Sequence, residues 1–298
     1  MTQNQFLSGF IAILGSPNTG KSTLLNKMVG QKVSIISDKP QTTRNTIRGI
    51  LTKENYQIVF LDTPGLHTTK NKLDEYMQKT ANDTSRDVDA ILFVVDAYVG
   101  IKERDTENLK RLLMIDIPVI VAINKIDKAK KEQVEKAKTV LKELNAKQII
   151  EISAANGDGL PELENMLINY LIEGPKYYPD ELYTDQPERL IAAEMIREKA
   201  LVLLSEEVPH GIGVEIEKIE KREGKDLIYV AAVIYCERKT HKGIVIGAQG
   251  SMLKQIGSAA RSDLQMLFGS KIYLELFVKV KEDWRNSRAM LKTLGYED

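Results

Sequence analysis

The chain should fold as an α/β domain, a mostly parallel sheet with helices on both faces, followed by a smaller α+β domain. Three observations predict this. Short Val/Ile-rich runs alternate with longer amphipathic segments as far as residue 172; a proline-rich stretch interrupts that grammar at Glu173; beyond it, strand-type alternation returns between helix-length segments. The length is compatible, because at about 100–200 residues per domain 298 residues predict two domains or one large one.

The apolar runs at 10–14, 58–61, 91–95, 119–123 and 149–152 read as strands, and 132–144 and 160–171 have helical spacing. Continuously apolar strands separated by helices imply a parallel sheet buried on both faces. Such sheets bind ligands beyond the carboxyl ends of their strands, so the strand-to-loop junctions are where chemistry is expected. The stretch EGPKYYPDELYTDQP contains Pro175, Pro179 and Pro187; proline interrupts both helix and ladder, and a linker is expected over 173–188. The first domain then spans 1–172 and the second 189–298. Within the second, a helix over 189–206 precedes alternating segments at 213–221 and 227–238, expected to be an antiparallel pair. A glycine-containing loop, a helix over 251–268, a strand over 271–281 and a terminal helix follow.

Composition removes several function classes. Hydrophobic residues at 43% and charged residues at 28% are ordinary globular usage. Lys+Arg and Asp+Glu both number 42, which excludes a uniformly basic polyanion binder but permits a local basic patch. One cysteine, Cys236, makes no intramolecular disulfide. The N-terminal stretch lacks a leader pattern, no apolar run approaches the ~20 residues of a membrane span, and the C-terminal stretch carries no lipidation cysteine. A soluble, cytoplasmic chain is expected.

The first strand runs into Gly15-Ser16-Pro17-Asn18-Thr19-Gly20-Lys21-Ser22, and a helix-forming stretch opens at Thr23. This is G-x-x-x-x-G-K-S in strand–loop–helix context. The glycines let backbone N–H groups curl around a β-phosphate, and the helix N-terminus adds positive potential. Lys21 can reach the β- and γ-oxygens, and the Ser22 hydroxyl is placed to ligate Mg²⁺.

The base is read further along. Run 119–123 ends in Asn124-Lys125-Ile126-Asp127. The Asp127 carboxylate can accept both N1–H and the 2-amino group of guanine, a pair adenine lacks. Asn124 can tie the base side to the phosphate loop, and the Lys125 stem can cover the purine face. After the next strand, a backbone N–H at Ser153 or Ala154 can donate to guanine O6. Run 58–61 ends in Asp62-Thr63-Pro64-Gly65: Asp62 would hold a Mg²⁺-bound water and the Gly65 N–H would meet the γ-phosphate, releasing the loop after hydrolysis. Upstream, in Lys39-Pro40-Gln41-Thr42-Thr43-Arg44-Asn45, a threonine hydroxyl can complete the Mg²⁺ shell; Thr43 is preferred to Thr42, with both open.

These stations, in this order, resemble the translation-factor-like class of GTPases across residues 8–172, and the PNTGKS loop and QTTRN segment look most like the Era family of bacterial ribosome-assembly GTPases. The resemblance implies GTP and GDP as ligands and Mg²⁺-dependent hydrolysis, with Lys21, Thr43, Gly65 and Asn18 as the candidate catalytic groups. Leu66 stands where Ras-like enzymes carry a water-orienting glutamine, and the neighbouring His67 reads as a bystander, so slow intrinsic turnover is expected. Asn18 matches the asparagine with which related enzymes seat K⁺, whose charge could substitute for an arginine finger.

In the second domain, charge is split. Residues 176–237 hold 8 Lys/Arg against 14 Asp/Glu, and residues 238–292 hold 11 against 4. The basic half contains Lys242-Gly243-Ile244-Val245-Ile246-Gly247-Ala248-Gln249-Gly250 leading into a helix. A G-x-x-G turn before a helix lets single-stranded nucleic acid approach the backbone without meeting a Cβ. The arrangement resembles a type II KH domain. That resemblance implies Ile244, Val245 and Ile246 as groove lining and Lys239, Lys242, Lys254, Arg261, Lys279 and Lys281 as phosphate contacts; Tyr229, Tyr235, Tyr273 and Trp284 read as core or groove wall. Over the whole chain the family implies a monomer that binds the small (30S) ribosomal subunit near the 3′ end of 16S rRNA, with no DNA partner. Some members associate peripherally with the inner membrane face, though no segment here demands it.

Overall fold

The structure, a computed structural model, describes residues 5–39, 42–65, 71–77, 87–224 and 226–296. The chain divides into two compact units: Met1–Ser34, Thr43–Thr68 and Met77–Asp185 form one, and Ile35–Thr42, Thr69–Tyr76 and Gln186–Asp298 the other.

The first unit is built on β1 (Leu7–Leu14), β2 (Ile47–Thr52), β3 (Tyr56–Asp62), β4 (Ala90–Asp96), β5 (Val119–Asn124), β6 (Gln148–Glu151) and the two-residue β7 (Ile172–Glu173). The sheet runs β2-β3-β1-β4-β5-β6, with β7 beside β1. β3, β1, β4, β5 and β6 are parallel, whereas β2 and β7 pair antiparallel. Because strand side chains alternate in direction, the central strands feed two cores. Ile11, Ile13, Leu92, Val94, Ile120 and Ala122 face α1 (Lys21–Val29) and α4 (Leu160–Ile168). Ala12, Leu14, Ile91, Phe93, Val121 and Ile123 face α2 (Glu103–Leu112) and α3 (Lys131–Glu143). Every residue of β4 is buried, and each large side chain on it contributes about 1.5–3 kcal/mol by leaving water. That burial on both faces is why no polar residue interrupts AILFVV. The strand β2 is absent from the expected runs because Gly49 breaks its pattern; the space a Cβ would take there is filled by Leu25 of α1, 2.4 Å away.

The stretch expected as a linker is held along the first unit as far as Asp185. Gln57 Nε2 donates to the Tyr178 carbonyl at 2.9 Å and the Tyr178 N–H returns to Gln57 Oε1 at 3.0 Å. Ile50 N–H donates to Tyr183 O at 2.8 Å, and Arg48 pairs with Asp185 at 2.6 Å.

The second unit carries α5 (Glu188–Leu203), β8 (Gly213–Lys221), β9 (Leu227–Cys236), α6 (Lys239–Ile246), α7 (Ser251–Phe268), β10 (Lys271–Val280) and α8 (Arg288–Thr293). Its sheet runs β10-β9-β8, antiparallel between β8 and β9 and parallel between β9 and β10. Ile256, Ala260 and Leu264 recur every four residues on α7 and seal it onto the sheet with Ala192, Ile196 and Ala200 of α5. The glycine-containing loop expected before residue 251 is largely α6. Gly243 in its middle and the β-branched residues around it hid the helical period. The G-x-x-G turn therefore joins two helices. Trp284 is wholly buried, its Nε1 donating to Gly211 O at 2.9 Å. Among the described residues no helix is long and apolar enough to cross a membrane.

Candidate functional site

Four strands of the first unit deliver the expected residues at their carboxyl ends: β1 the Gly15–Ser22 loop, β3 Asp62, β5 Asn124 and β6 Ser153. In the loop, Thr19 Oγ1 donates to Ser16 O at 3.0 Å and the Ser16 hydroxyl to Asp105 of α2. Gly20 adopts a left-handed φ of 96°, and a Cβ there would lie 2.3 Å from Asn124 Nδ2. Only glycine meets both demands, and the close approach is used. Asn124 Nδ2 donates to Thr19 O at 2.8 Å, joining the base-reading loop to the phosphate loop. Lys125 Nζ likewise donates to the carbonyl of Asn18, at 2.6 Å, while pairing with Asp96 at 2.7 Å. Asn18 is exposed with φ 65°, and Pro17 and Thr23 are half-buried.

Lys21 is buried, its Nζ donating to Gly15 O at 3.0 Å and Ser16 O at 2.9 Å. Burial pushes its pKa down to about 8, against the pull of the Asp62 and Asp105 carboxylates. Three oxygens converge beside it. Ser22 Oγ lies 3.0 Å from Thr43 Oγ1 and donates to Asp62 Oδ2 at 2.8 Å. Asp62 is wholly buried, its pKa raised by that burial, and its Oδ1 has no hydrogen-bond partner. A buried carboxylate oxygen with unused lone pairs beside two hydroxyls is a donor set that fits a small hard cation completed by water and phosphate. Among the described residues no group of three His, Cys, Asp or Glu offers an alternative. Thr42 does not join the set, because its hydroxyl turns back to Lys39 O at 2.6 Å and Ser37 O at 3.2 Å. Thr63 Oγ1 donates to Ile13 O at 3.1 Å, Pro64 is buried, and Gly65 leans on the phosphate loop, where a Cβ would come within 3.0 Å of Pro17. Pro40, Gln41, Leu66 and His67 lie outside the described residues.

On the base side Asp127 is exposed and accepts from Ser153 Oγ at 2.7 Å. The two backbone N–H groups expected as O6 donors both have partners within the protein. The Ser153 N–H donates to the backbone carbonyl of Asp158 at 3.0 Å and the Ala154 N–H to the side-chain Oδ1 of Asn124 at 2.9 Å. Ser34, Asp96 and Asp105 were missed by sequence reasoning. Ser34 Oγ donates to Asp62 Oδ2 at 3.0 Å. Asp96, the last residue of β4, carried one available signal: a carboxylate at the ligand-binding end of a parallel strand.

In the second unit the turn Gly247–Gly250 stands out from the sheet, with Ala248 and Gln249 exposed. Gly247 has φ 72° and ψ 175°, and a Cβ there would fall 2.8 Å from Met252 N. Of the expected groove residues, Ile244 is 48% exposed, Ile246 packs partly against the core, and Val245 is wholly buried in it. Lys242 is half-buried; Gly243, Lys239, Lys254 and Arg261 are exposed. Lys254 and Arg261 rim a cleft of about 450 Å³ floored by Leu253 and Gly257 of α7 and by Leu274 and Leu276 of β10. Lys279 points to the opposite sheet face and pairs with Glu217 at 2.8 Å. Tyr229 and Tyr273 also lie on that face, stacked with centroids 5.9 Å apart, so they do not wall the cleft.

A phosphate loop, a guanine-reading N-K-x-D and a carboxylate–hydroxyl cation set at one sheet edge define a translation-factor-like GTPase, here carrying a KH-type second unit. Comparison agrees for both parts: residues 10–125 match the 50S ribosome-binding GTPase family and residues 207–285 the KH domain family. GTPase Era of Alkaliphilus oremlandii is 53% identical over 293 residues, 98% of this chain and 99% of that protein. GTPase Era of Clostridioides difficile is 51% identical over 98% of this chain and 99% of its own length. A crystal structure of an Aquifex aeolicus Era variant bound to GDP·AlF4⁻ is similar at TM-score 0.93 and 40% identity, covering 98% of this chain and all of that one. Era in complex with MgGDPNP and nucleotides 1506–1542 of 16S ribosomal RNA is similar at TM-score 0.94, with the same identity and coverage. The chain belongs to the Era family of GTPases.

Proposed function

We propose that this GTPase acts in the cytoplasm as a monomer in assembly of the small (30S) ribosomal subunit, binding near the 3′ end of 16S rRNA through Gly247–Gly250 and the adjoining cleft. One observation carries the reading: a phosphate loop with its cation donors and an exposed G-A-Q-G turn occur in one chain whose two units correspond, over 98% of its length, to an Era crystallised on that rRNA segment. Ser22 and Thr43 would hold Mg²⁺ directly and Asp62 through water; the ion, when bound, neutralises charge on the β- and γ-phosphates. Lys21 moves from the Gly15 and Ser16 carbonyls to phosphate, the N–H groups of residues 16–23 cradle it, Gly65 meets the γ-phosphate and Asp127 reads the base. Asn18 supports a K⁺ site there.

The test is single-turnover GTP hydrolysis in KCl and in NaCl at equal ionic strength, with and without an oligonucleotide of the 16S 3′ segment. Faster turnover in KCl and nanomolar-to-micromolar retention of the oligonucleotide are expected. Equal rates in the two salts would remove K⁺, and failure to bind the oligonucleotide would remove the rRNA assignment.

A further inference from the structure

One oxygen of Asp62 is held by two donors and the other by none, and one of the two donors comes from outside the motifs. Asp62 Oδ2 accepts from Ser22 Oγ at 2.8 Å and from Ser34 Oγ at 3.0 Å. Among the described residues nothing bonds to Oδ1, which is buried. The terminal torsion of an aspartate is broad and two-fold, so β3 by itself does not choose which oxygen faces the cation donors. Two hydroxyls on one oxygen do choose, because they occupy both of its lone pairs and leave those of Oδ1 open. Ser22 is itself one of the cation donors. Ser34 is not, and nothing in the Gly15–Ser22, Asp62–Gly65 or Asn124–Asp127 patterns calls for it.

Ser34 is fixed in place by α1, and all the residues involved belong to the first unit. Gly30 ends that helix in the left-handed region, with φ 78°, and turns the chain back on it. Asn26, half-buried on the helix, turns its amide on the returning segment. Its Oδ1 accepts from the N–H groups of Val33 and Ser34, each at 2.9 Å, and its Nδ2 donates to the Ser34 carbonyl at 2.7 Å. Asparagine is a poor residue for a helix interior because its side chain competes for backbone groups. Here the backbone groups it takes are those of residues 33 and 34. Val33 already anchors the turn by burial in the core with Leu25 and Met28. What the three amide bonds add is a fixed direction for the Ser34 hydroxyl, on a side chain only 3% exposed.

We propose that Ser34 and Asn26 are positioning residues for the cation site: Asn26 fixes the backbone of Ser34, and the Ser34 hydroxyl turns Asp62 so that Oδ1 meets the water on Mg²⁺. This rests on the reading of Asp62 as a holder of the ion through water. Hydrogen bonds that orient a coordinating carboxylate are worth about 10–100-fold in metal affinity. With a water between carboxylate and ion, the lower end of that range applies, about tenfold. Neither Ser34 nor Asn26 is among the groups read as contacting the nucleotide, so nucleotide affinity without Mg²⁺ is independent of both.

The test uses the full chain and a fluorescent, non-hydrolysable GTP analogue, whose release rate is measured across a Mg²⁺ titration and in EDTA. Ser34→Ala should raise the Mg²⁺ concentration for half-maximal slowing of release about tenfold, with the rate in EDTA within about twofold of the parent. Asn26→Ala keeps the hydroxyl but frees its backbone, and should shift the titration in the same direction by no more than Ser34→Ala does. The double variant should match Ser34→Ala, because both residues act along one path. Asp62→Ala should shift the titration at least as far. If Asn26→Ala does not fold, Ser34→Ala, which deletes a single hydroxyl, decides alone. A parent-like titration in Ser34→Ala beside a shifted Asp62→Ala would overturn the proposal. So would a change in Ser34→Ala that is the same with and without Mg²⁺, the mark of a purely structural role. Multiplicative shifts in the double variant would overturn the link between Asn26 and Ser34. Release that ignores Mg²⁺ in the parent, or a parent-like titration in Asp62→Ala, would overturn the reading of Asp62 and the proposal with it.

Discussion

At the scale of single residues, Asp127 and Lys21 carry the sharpest expectations. The Asp127 carboxylate is steadied by Ser153 at 2.7 Å and faces outward, which suits an acceptor for two donors on one base edge. Asp127→Asn places a donor there. A site built on such polar pairs loses about 10⁴-fold when one is mismatched, so GTP affinity should collapse while xanthosine triphosphate, with the complementary acceptor, gains. Unchanged GTP affinity in a titration would remove Asp127 from the base site. Lys21 sets a pH dependence. Burial holds its pKa at about 8 in the nucleotide-free protein, and anionic phosphates at hydrogen-bond distance favour the charged form. The bound state therefore has the higher pKa, and above pH 8 binding takes up a proton. GDP affinity, measured in EDTA, should fall about fivefold between pH 8 and pH 9. Lys21→Met should bind weakly with that slope removed; a parent affinity flat across the interval would contradict the mechanism.

At the scale of elements, the turn between α6 and α7 is where side-chain charge can be tested without disturbing the backbone. Ala248 and Gln249 are exposed, so Ala248→Asp with Gln249→Asp sets two negative charges at the approach to the helix N-terminus and leaves Gly247 its required φ. Affinity for single-stranded RNA in fluorescence anisotropy should be lost with GTP binding intact, whereas Lys254→Ala should weaken it modestly and reduce the salt slope by about one or less. RNA binding at the parent level in the double-Asp variant would make the second unit a protein-binding module. The strands β1, β3, β4, β5 and β6 were legible as short apolar runs because a parallel sheet covered on both faces leaves its strands little room for polar residues, and the helix α7 because burial of one face imposes a helical period. The strand β2 and the helix α6 were not, since Gly49 and Gly243 break the pattern, the first to admit Leu25. Motif spacing likewise located Lys21, Asp62 and Asn124. It could not choose between Thr42 and Thr43, which differ only in where one hydroxyl turns.

At the scale of the whole molecule, two units were legible from the proline-rich break and the change of grammar after it. The membership of 35–42 and 69–76 in the second unit was not, because single bonds between residues far apart in sequence join them to it. Ile36 reaches Glu198, Thr42 accepts from Arg197, and the Lys72 N–H donates to Asn286 Oδ1 at 3.1 Å. Leu73 adds a wholly buried side chain. A fragment of residues 186–298 keeps the sheet and its core of Ile196, Ala232, Ile256 and Leu264 but loses all of these. Losing Leu73 costs about 1.5–3 kcal/mol, and leaving the buried Arg197 and Glu198 short of partners costs about 1–3 kcal/mol more. Against a total stability of roughly 5–15 kcal/mol, the fragment should remain folded but unfold about 10 °C or more below the corresponding transition of the intact chain. Calorimetry of the two species decides it. Coincident midpoints would mean that the earlier segments add nothing to the second unit, and that Arg197 is equally content with Glu194 and water.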